Sequence, residues 1–158
     1  MSVSLRRCSH SFLAELFAKG HCPSASSLLG PTETPSEWRV DMLTGPFPNL
    51  GGWPFRHRKR FFTTGRELVY GCNIFFADWR WGHFFLNDDA LYIGEGDASL
   101  IIDYRREVNG ELVREHLLDK VRTTDDPTLL IGEFYWRSKG GARLTAYFSL
   151  TRLPQPAK

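Results

Sequence analysis

From Trp38 to Arg152 the hydrophobic pattern repeats every two residues, in runs separated by turn-forming residues. That repeat most restricts the fold, because it sends successive side chains to opposite faces of a strand. EWRVDML alternates Trp38, Val40 and Met42 against Arg39, Asp41 and Leu43, and a TGP turn closes it. A Pro- and Gly-rich loop over 44–54 precedes FRHRKRFF. Further strands are predicted at 67–76, 79–86, 90–94, 99–108, 111–122, 128–137 and 142–152. Two hairpins are predicted, one through a type I′ turn at Asn109-Gly110 and one through SKGG at 138–141.

Helical spacing occurs once, in SFLAELFAKG at 11–20. There Phe12, Leu13, Leu16 and Phe17 form one stripe, Ser11 is the predicted cap and Gly20 the left-handed stop. Residues 21–37 are rich in Ser, Pro, Gly and Thr and read as an irregular connection. Many antiparallel strands with one early helix predict a closed barrel, since closure removes exposed edges. A sheet wrapped round helices needs more helix than the pattern offers.

A chain of 158 residues predicts one domain, 1–158, that buries its core without disulfides or metals. Aromatic residues make up 14%, with twelve Phe, five Trp and five Tyr, which suits a β-rich fold with a spacious interior. The net charge of +2, from 20 Lys and Arg against 18 Asp and Glu, is too even for a protein devoted to nucleic-acid phosphates. Cys8, Cys22 and Cys72 are odd in number and widely spaced, the pattern of thiols in a reducing compartment, so a cytoplasmic location is expected. Glu15 and Lys19 interrupt the apolar segment after Arg6 and Arg7, which makes a poor signal peptide, and no stretch is long enough to span a bilayer.

The chemistry-bearing candidates fall on this alternation. In DWRWGHFF, Trp79, Trp81, His83 and Phe85 would share one wall and Arg80, Gly82, Phe84 and Leu86 the other. His83 on an aromatic wall is a candidate acid or base, its pKa lowered by desolvation. Gly82 beside it permits close approach of backbone or ligand. Alternation splits RHRKR into Arg56, Arg58 and Arg60 on a solvated face and His57 with Lys59 on the other. Lys59 is then either a snorkelling surface residue or a pocket cation. Leu100, Ile102, Tyr104 and Arg106 share a parity, as do Leu112, Arg114, His116 and Leu118. Leu144, Ala146, Phe148 and Leu150 form an apolar face opposite Leu130, Phe134 and Trp136, whereas Glu133, Tyr135 and Tyr147 line either a cavity or solvent. There is no Gly-rich phosphate loop, nucleophile elbow, HExxH or CxxC, and Cys8, His10, His21 and Cys22 lack a zinc-site spacing.

EWRVDMLTG followed by HRKRFF, and LLDKVRTTDDPTLLIGEF later, resemble segments of bacterial GXWXG-type proteins of unknown function and of the domain that accompanies them. The matching positions are Trp38, Lys59, Arg60, Phe61, Asp119, Arg122 and Gly132. Trp38 lacks the flanking glycines of that pattern, and His57-Arg58 replaces its aromatic-glycine pair. The resemblance implies a lipocalin-like, calycin-like antiparallel barrel. Asp119 and Arg122 have opposite parities, so a structural ion pair or a turn contact near TTDDP is their expected role.

These features point first to an enzyme without a redox cofactor that acts on a hydrophobic small molecule by an isomerisation, cyclisation or lyase step. His83, Lys59 and Glu133 are the catalytic candidates. Trp38, Tyr70, Trp79, Trp81, Tyr104, Tyr135 and Tyr147 are the substrate-binding ones. The second reading is a carrier of an apolar ligand, and a third is an anion- or RNA-binding module on RHRKR. Neither nucleic acid nor membrane is the expected partner, and a homodimer is open.

Overall fold

Eight antiparallel strands hydrogen-bond in chain order, and the last returns to the first, closing a barrel. They are β1 (Ser36–Met42), β2 (His57–Thr63), β3 (Val69–Ile74), β4 (Arg80–Asn87), β5 (Leu100–Asp103), β6 (Leu117–Thr123), β7 (Leu129–Ser138) and β8 (Gly141–Arg152). The computed structural model describes residues 5–45, 57–64, 69–87 and 99–155. The strand expected at 90–94 lies outside them. No helix among the described residues is long and apolar enough to cross a membrane. The closed antiparallel barrel with few short helices is the architecture that the alternation implied.

One end of the barrel is sealed. Trp38 enters from β1, and its indole Nε1 donates to the Leu28 carbonyl at 3.0 Å. Arg152, paired with Trp38 across the closing β1–β8 seam, lays its guanidinium 4.5 Å from that ring. It also donates to the carbonyls of Leu29, at 3.0 Å, and of Ser27. The 3-10 turn Ala25–Leu28 is thereby tied beneath the barrel, with Leu28 and Leu29 buried. Above this plug Phe61, Phe84 and Phe148 fill the lumen. Gly132 makes room for Phe148, whose ring would stand 2.2 Å from a Cβ placed there.

Helix α1 (His10–Lys19) lies outside, with Leu13 and Phe17 buried against Ile131, Tyr147 and Leu43. Its cap is Ser9, which accepts from Phe12 N, and not Ser11. Gly20 is extended, at φ −69 and ψ 159, so it is not a left-handed stop. It is needed for closeness, because a Cβ there would stand 2.4 Å from the Thr123 carbonyl. Arg122 of β6 closes the helix C-terminus instead, donating to the carbonyls of Phe17 and Ala18 at 3.3 Å each.

The Asn109-Gly110 hairpin does not form. Residues Glu111–His116 make a short helix, α2, and β5 ends at Asp103. Asn109 uses its side chain, accepting from His83 N at 2.8 Å and donating to the carbonyls of His83 and Tyr104 at 2.6 Å each. Gly110 sits at φ −60 as the helix cap, without the positive φ that a type I′ turn demands. The SKGG hairpin forms, with Ser138 opposite Gly141 between β7 and β8.

Two irregularities break the period. One lies in the β3–β4 pairing between Cys72 and Asn73, where Gly82 adopts φ +59. The other lies in the β7–β8 pairing between Phe134 and Tyr135, so Ala146 faces inward while Leu144 turns out toward the α1 cluster. The single apolar face expected for Leu144, Ala146, Phe148 and Leu150 is therefore divided.

Gly132→Val is expected to destabilise the barrel by about 1–3 kcal/mol through overpacking against Phe148. The surface control Gly140→Ala should change stability by less than about 0.5 kcal/mol. Urea denaturation midpoints check both.

Candidate functional site

Opposite the sealed end the barrel holds a pocket of about 760 Å³, and its floor is polar. The floor is set by interior positions on β2, β3 and β6 and by the residue that follows β5. Lys59 of β2 pairs in register with Asn73 of β3, Tyr104 follows β5, and Asp119 lies on β6. Lys59 is 2% exposed, Asn73 2%, Tyr104 2% and Asp119 4%, so all four are withdrawn from water. Lys59 Nζ donates to Asn73 Oδ1 at 2.9 Å and to the Tyr104 hydroxyl, and stands 3.1 Å from Asp119 Oδ2. The Tyr104 hydroxyl donates to the same Oδ2 at 2.7 Å. The three ammonium protons thus have three acceptors, the condition under which a buried lysine remains charged.

The electrostatics follow from burial. Desolvation pushes the Lys59 pKa below its ordinary value, opposed by the charge and hydrogen bond of Asp119. Desolvation also lifts the Tyr104 phenol well above its usual range, and the neighbouring Asp119 carboxylate adds to the effect. Three rings surround the ammonium, with centroids at 5.1 Å for Tyr104, 5.2 Å for Phe84 and 5.9 Å for Phe148. Among the described residues both hydrogen-bonding contacts of Asp119 fall on Oδ2. Oδ1 takes neither contact, and Asp119 lines the pocket.

The walls are apolar: Val40, Met42, Phe75, Trp81, Val113, Leu117, Phe134 and Phe148 line them. The rim includes Trp79, 56% exposed, Leu112 of α2, 63% exposed, and Trp136, 37% exposed. Trp136 stacks on His116 at 4.8 Å, which ties the end of α2 to β7. At the mouth Arg6 and Arg39 both pair with Asp41, the latter at 2.9 Å.

The expected wall of Trp79, Trp81, His83 and Phe85 is corrected by the β3–β4 irregularity. Asn73 pairs with Trp81 but Cys72 pairs with His83, so Gly82 takes up an extra residue and reverses the side-chain sense between the two. Trp79 and Trp81 line the pocket. His83 falls on the outer row with Cys72 and Arg60, where desolvation and then Arg106 and Arg80 lower its pKa. Tyr70 is also outside, edge-on to Phe62 at 5.0 Å with Arg106 over its ring.

Glu133, Tyr135 and Tyr147 come together, but outside the barrel. The Tyr135 hydroxyl donates to Glu133 Oε2 at 2.7 Å, and Tyr147 pairs with Glu133 in register and meets His10 of α1 edge-on at 5.0 Å. Trp38 is core at the sealed end. Of the ten candidate positions, Lys59, Tyr104, Trp79 and Trp81 line the pocket. The expected link of Asp119 to Arg122 is also corrected, since Asp119 pairs with Lys59 and Arg122 caps α1. Arg58 and Arg60 engage Glu37 on the outer face, so RHRKR divides there as alternation implied; Arg56 lies outside the described residues. Asn73 carried no sequence signal, although the parity of Lys59 placed it within reach of any inward residue on the next strand. Among the described residues no group of three or more His, Cys, Asp and Glu could hold a metal ion.

Two outcomes are expected. Lys59→Met or Asp119→Asn alone should destabilise the fold by about 3–5 kcal/mol, because each leaves its partner buried and unmatched, whereas the Lys59→Met, Asp119→Leu double variant should recover most of that loss. Chemical denaturation of the four proteins closes this cycle. Separately, burial followed by Glu133 pushes the Tyr147 phenol up to about 12. An unfolded tyrosine ionises near 10, so this contribution is intact below pH 10 and lost as pH rises toward about 12. Tyr147→Phe should reduce the alkaline loss of stability in that window, read from melting curves against pH.

Comparison of the chain with protein families, with curated proteins and with solved structures finds no match.

Proposed function

We propose that the protein is an enzyme that binds a hydrophobic small molecule in the barrel and moves a proton on it, with Asp119 as the base and Lys59 as its electrostatic partner. The observation that carries this reading is the Lys59–Asp119–Tyr104 group on the floor of an otherwise apolar pocket. Replacing a buried ion pair by well-packed apolar side chains often costs no stability. The pair's placement where a ligand ends therefore favours chemistry over packing.

The step balances without further reagents. Asp119 Oδ1 takes a proton from a carbon next to a carbonyl, and the C–H electron pair moves into the carbonyl oxygen as an enolate. Asp119 is then neutral, and the Lys59 ammonium is balanced by the enolate instead of by the carboxylate. Return of the same proton to a different carbon completes an isomerisation. In a cyclisation the electron pair attacks a second carbonyl carbon of the same molecule, whose C=O pair moves onto oxygen as an alkoxide that takes the proton back from Asp119. In a lyase step it expels a leaving group that receives the proton from Asp119. Tyr104 and Asn73 hold Lys59 at the floor, and Trp81 and Phe134 supply apolar faces for the substrate.

This reading moves the acid–base role from His83 and Glu133, which lie on the outer face, to Asp119. It keeps the likeness to GXWXG-type proteins: Trp38, Lys59, Phe61, Asp119 and Gly132, five of the positions that carry it, all occupy the barrel interior. We further place the protein in the cytoplasm, a reading supported by Cys8, Cys22 and Cys72 remaining thiols. A carrier is the second reading, favoured by the fact that all three Lys59 protons are already satisfied within the protein.

The test is native mass spectrometry of protein purified from its own host, with identification of the released small molecules, followed by turnover assays on them. A retained apolar metabolite that the wild type converts, and that Asp119→Asn binds but converts at least about 100-fold more slowly, is the expected result. His83→Ala should convert it at the wild-type rate. A ligand that is held and never converted identifies a carrier. Full activity in Asp119→Asn overturns the assignment of the base.

A further inference from the structure

We infer that the ligand is electrically neutral and presents an O–H or similarly acidic donor to the pocket floor, which excludes fatty carboxylates and amines as its natural occupants. The inference rests on the reading of this pocket as a ligand site and narrows the class of molecule that it takes.

The argument is one of charge and capacity. The ionisable groups of the described lining, apart from His57, are opposed in pairs: Lys59 with Asp119 at the floor and Arg6 with Asp41 at the mouth. A carboxylate entering the floor would face Asp119 at close range in a water-poor site, and an ammonium would face Lys59. Each would be desolvated without a partner of its own, at a cost that a neutral group avoids. Hydrogen-bonding capacity sharpens this. Lys59 has spent its three protons and Tyr104 its one, and the Gly82 carbonyl holds one of the two Asn73 amide protons, so a single amide N–H is the donor left at the floor. Against it stands a full carboxylate acceptor, Asp119 Oδ1. The group that fits is neutral and donates.

Four probes with one chain length separate the possibilities: decanol, decyl methyl ether, decanoate and decylammonium. Their binding to the full chain can be followed through the tryptophan fluorescence of Trp79, Trp81 and Trp136 and through melting temperature. For the wild type, decanol should bind about tenfold or more tightly than the ether, which lacks the donor. Both ions should bind more weakly than decanol.

Charge variants should invert the order. In Asp119→Asn, Lys59 lacks its carboxylate, and decanoate supplies one, so decanoate affinity should rise about tenfold or more and raise the melting temperature. In Lys59→Met, decylammonium should gain in the same way. If either variant does not fold, the wild-type ranking alone decides. A wild type that prefers decanoate or decylammonium over decanol overturns the neutral-ligand inference while leaving the pocket as a binding site. Equal affinity for decanol and its ether overturns the donor requirement. Failure of all four probes to bind overturns the pocket reading itself.

Discussion

The Lys59–Asp119 ion pair crosses the lumen. β2 and β6 stand four strands apart in a closed ring of eight, so the pair joins opposite sides of the barrel. Its geometry demands a single register. A shift of one residue in β2 or β6 sends a charge to the outer face and leaves the other buried alone, and a shift in β3 removes Asn73 from the same ammonium. Hydrophobic interior positions tolerate exchange of one aliphatic side chain for another far better than an ion pair tolerates loss of a partner. The polar floor thus specifies the strand alignment more sharply than the apolar rows beneath it, and it divides the lumen into a packed half and an open half.

Each of the two pairing irregularities serves the open half. At Gly82 the extra residue lets Trp81 face the pocket while Phe84 and Leu86 continue to face the core below. A Cβ at Gly82 would stand 2.7 Å from Asn73 Nδ2, the atom that donates to the Gly82 carbonyl. The irregularity therefore also fixes the amide that holds Lys59. Between Phe134 and Tyr135 the extra residue is Thr145 of β8, so Ala146 faces inward beside Phe134 while Leu144 turns outward to meet the α1 cluster. A β8 with an uninterrupted period of two could not supply both.

These same places mark what the sequence could and could not disclose. The alternation of β1, β2, β7 and most of β8 was legible because each strand buries one face, so closed-barrel architecture and the shared parity of Lys59 and Phe61 follow from it, while alternation alone leaves open which parity faces inward. His83 was misplaced because a one-residue insertion at Gly82 reverses every face beyond it, and alternation has no memory of such an insertion. Glycine at position 82 was the available clue. The Asn109-Gly110 hairpin signal is local, and the run ELVREH that follows it forms a helix instead of the second strand. Asp119 was visible only through likeness, since a single carboxylate on an apolar strand does not reveal whether a lysine waits sixty positions upstream.

The high aromatic content acquires a physical role from this arrangement. Trp38, Phe61, Phe84 and Phe148 are buried in the sealed half beneath the ion pair. Phe84 and Phe148 also turn their rings toward the Lys59 ammonium, which lowers the cost of burying it without adding a second anion. A second carboxylate would have served stability as well, but it would have left the floor negative and prepared to bind a cation. Neutralising the lysine partly with π faces keeps Asp119 as its one full counter-charge. A proton on that carboxylate would leave the Lys59 charge without its counter-charge, facing whatever lies above it from a site withdrawn from water.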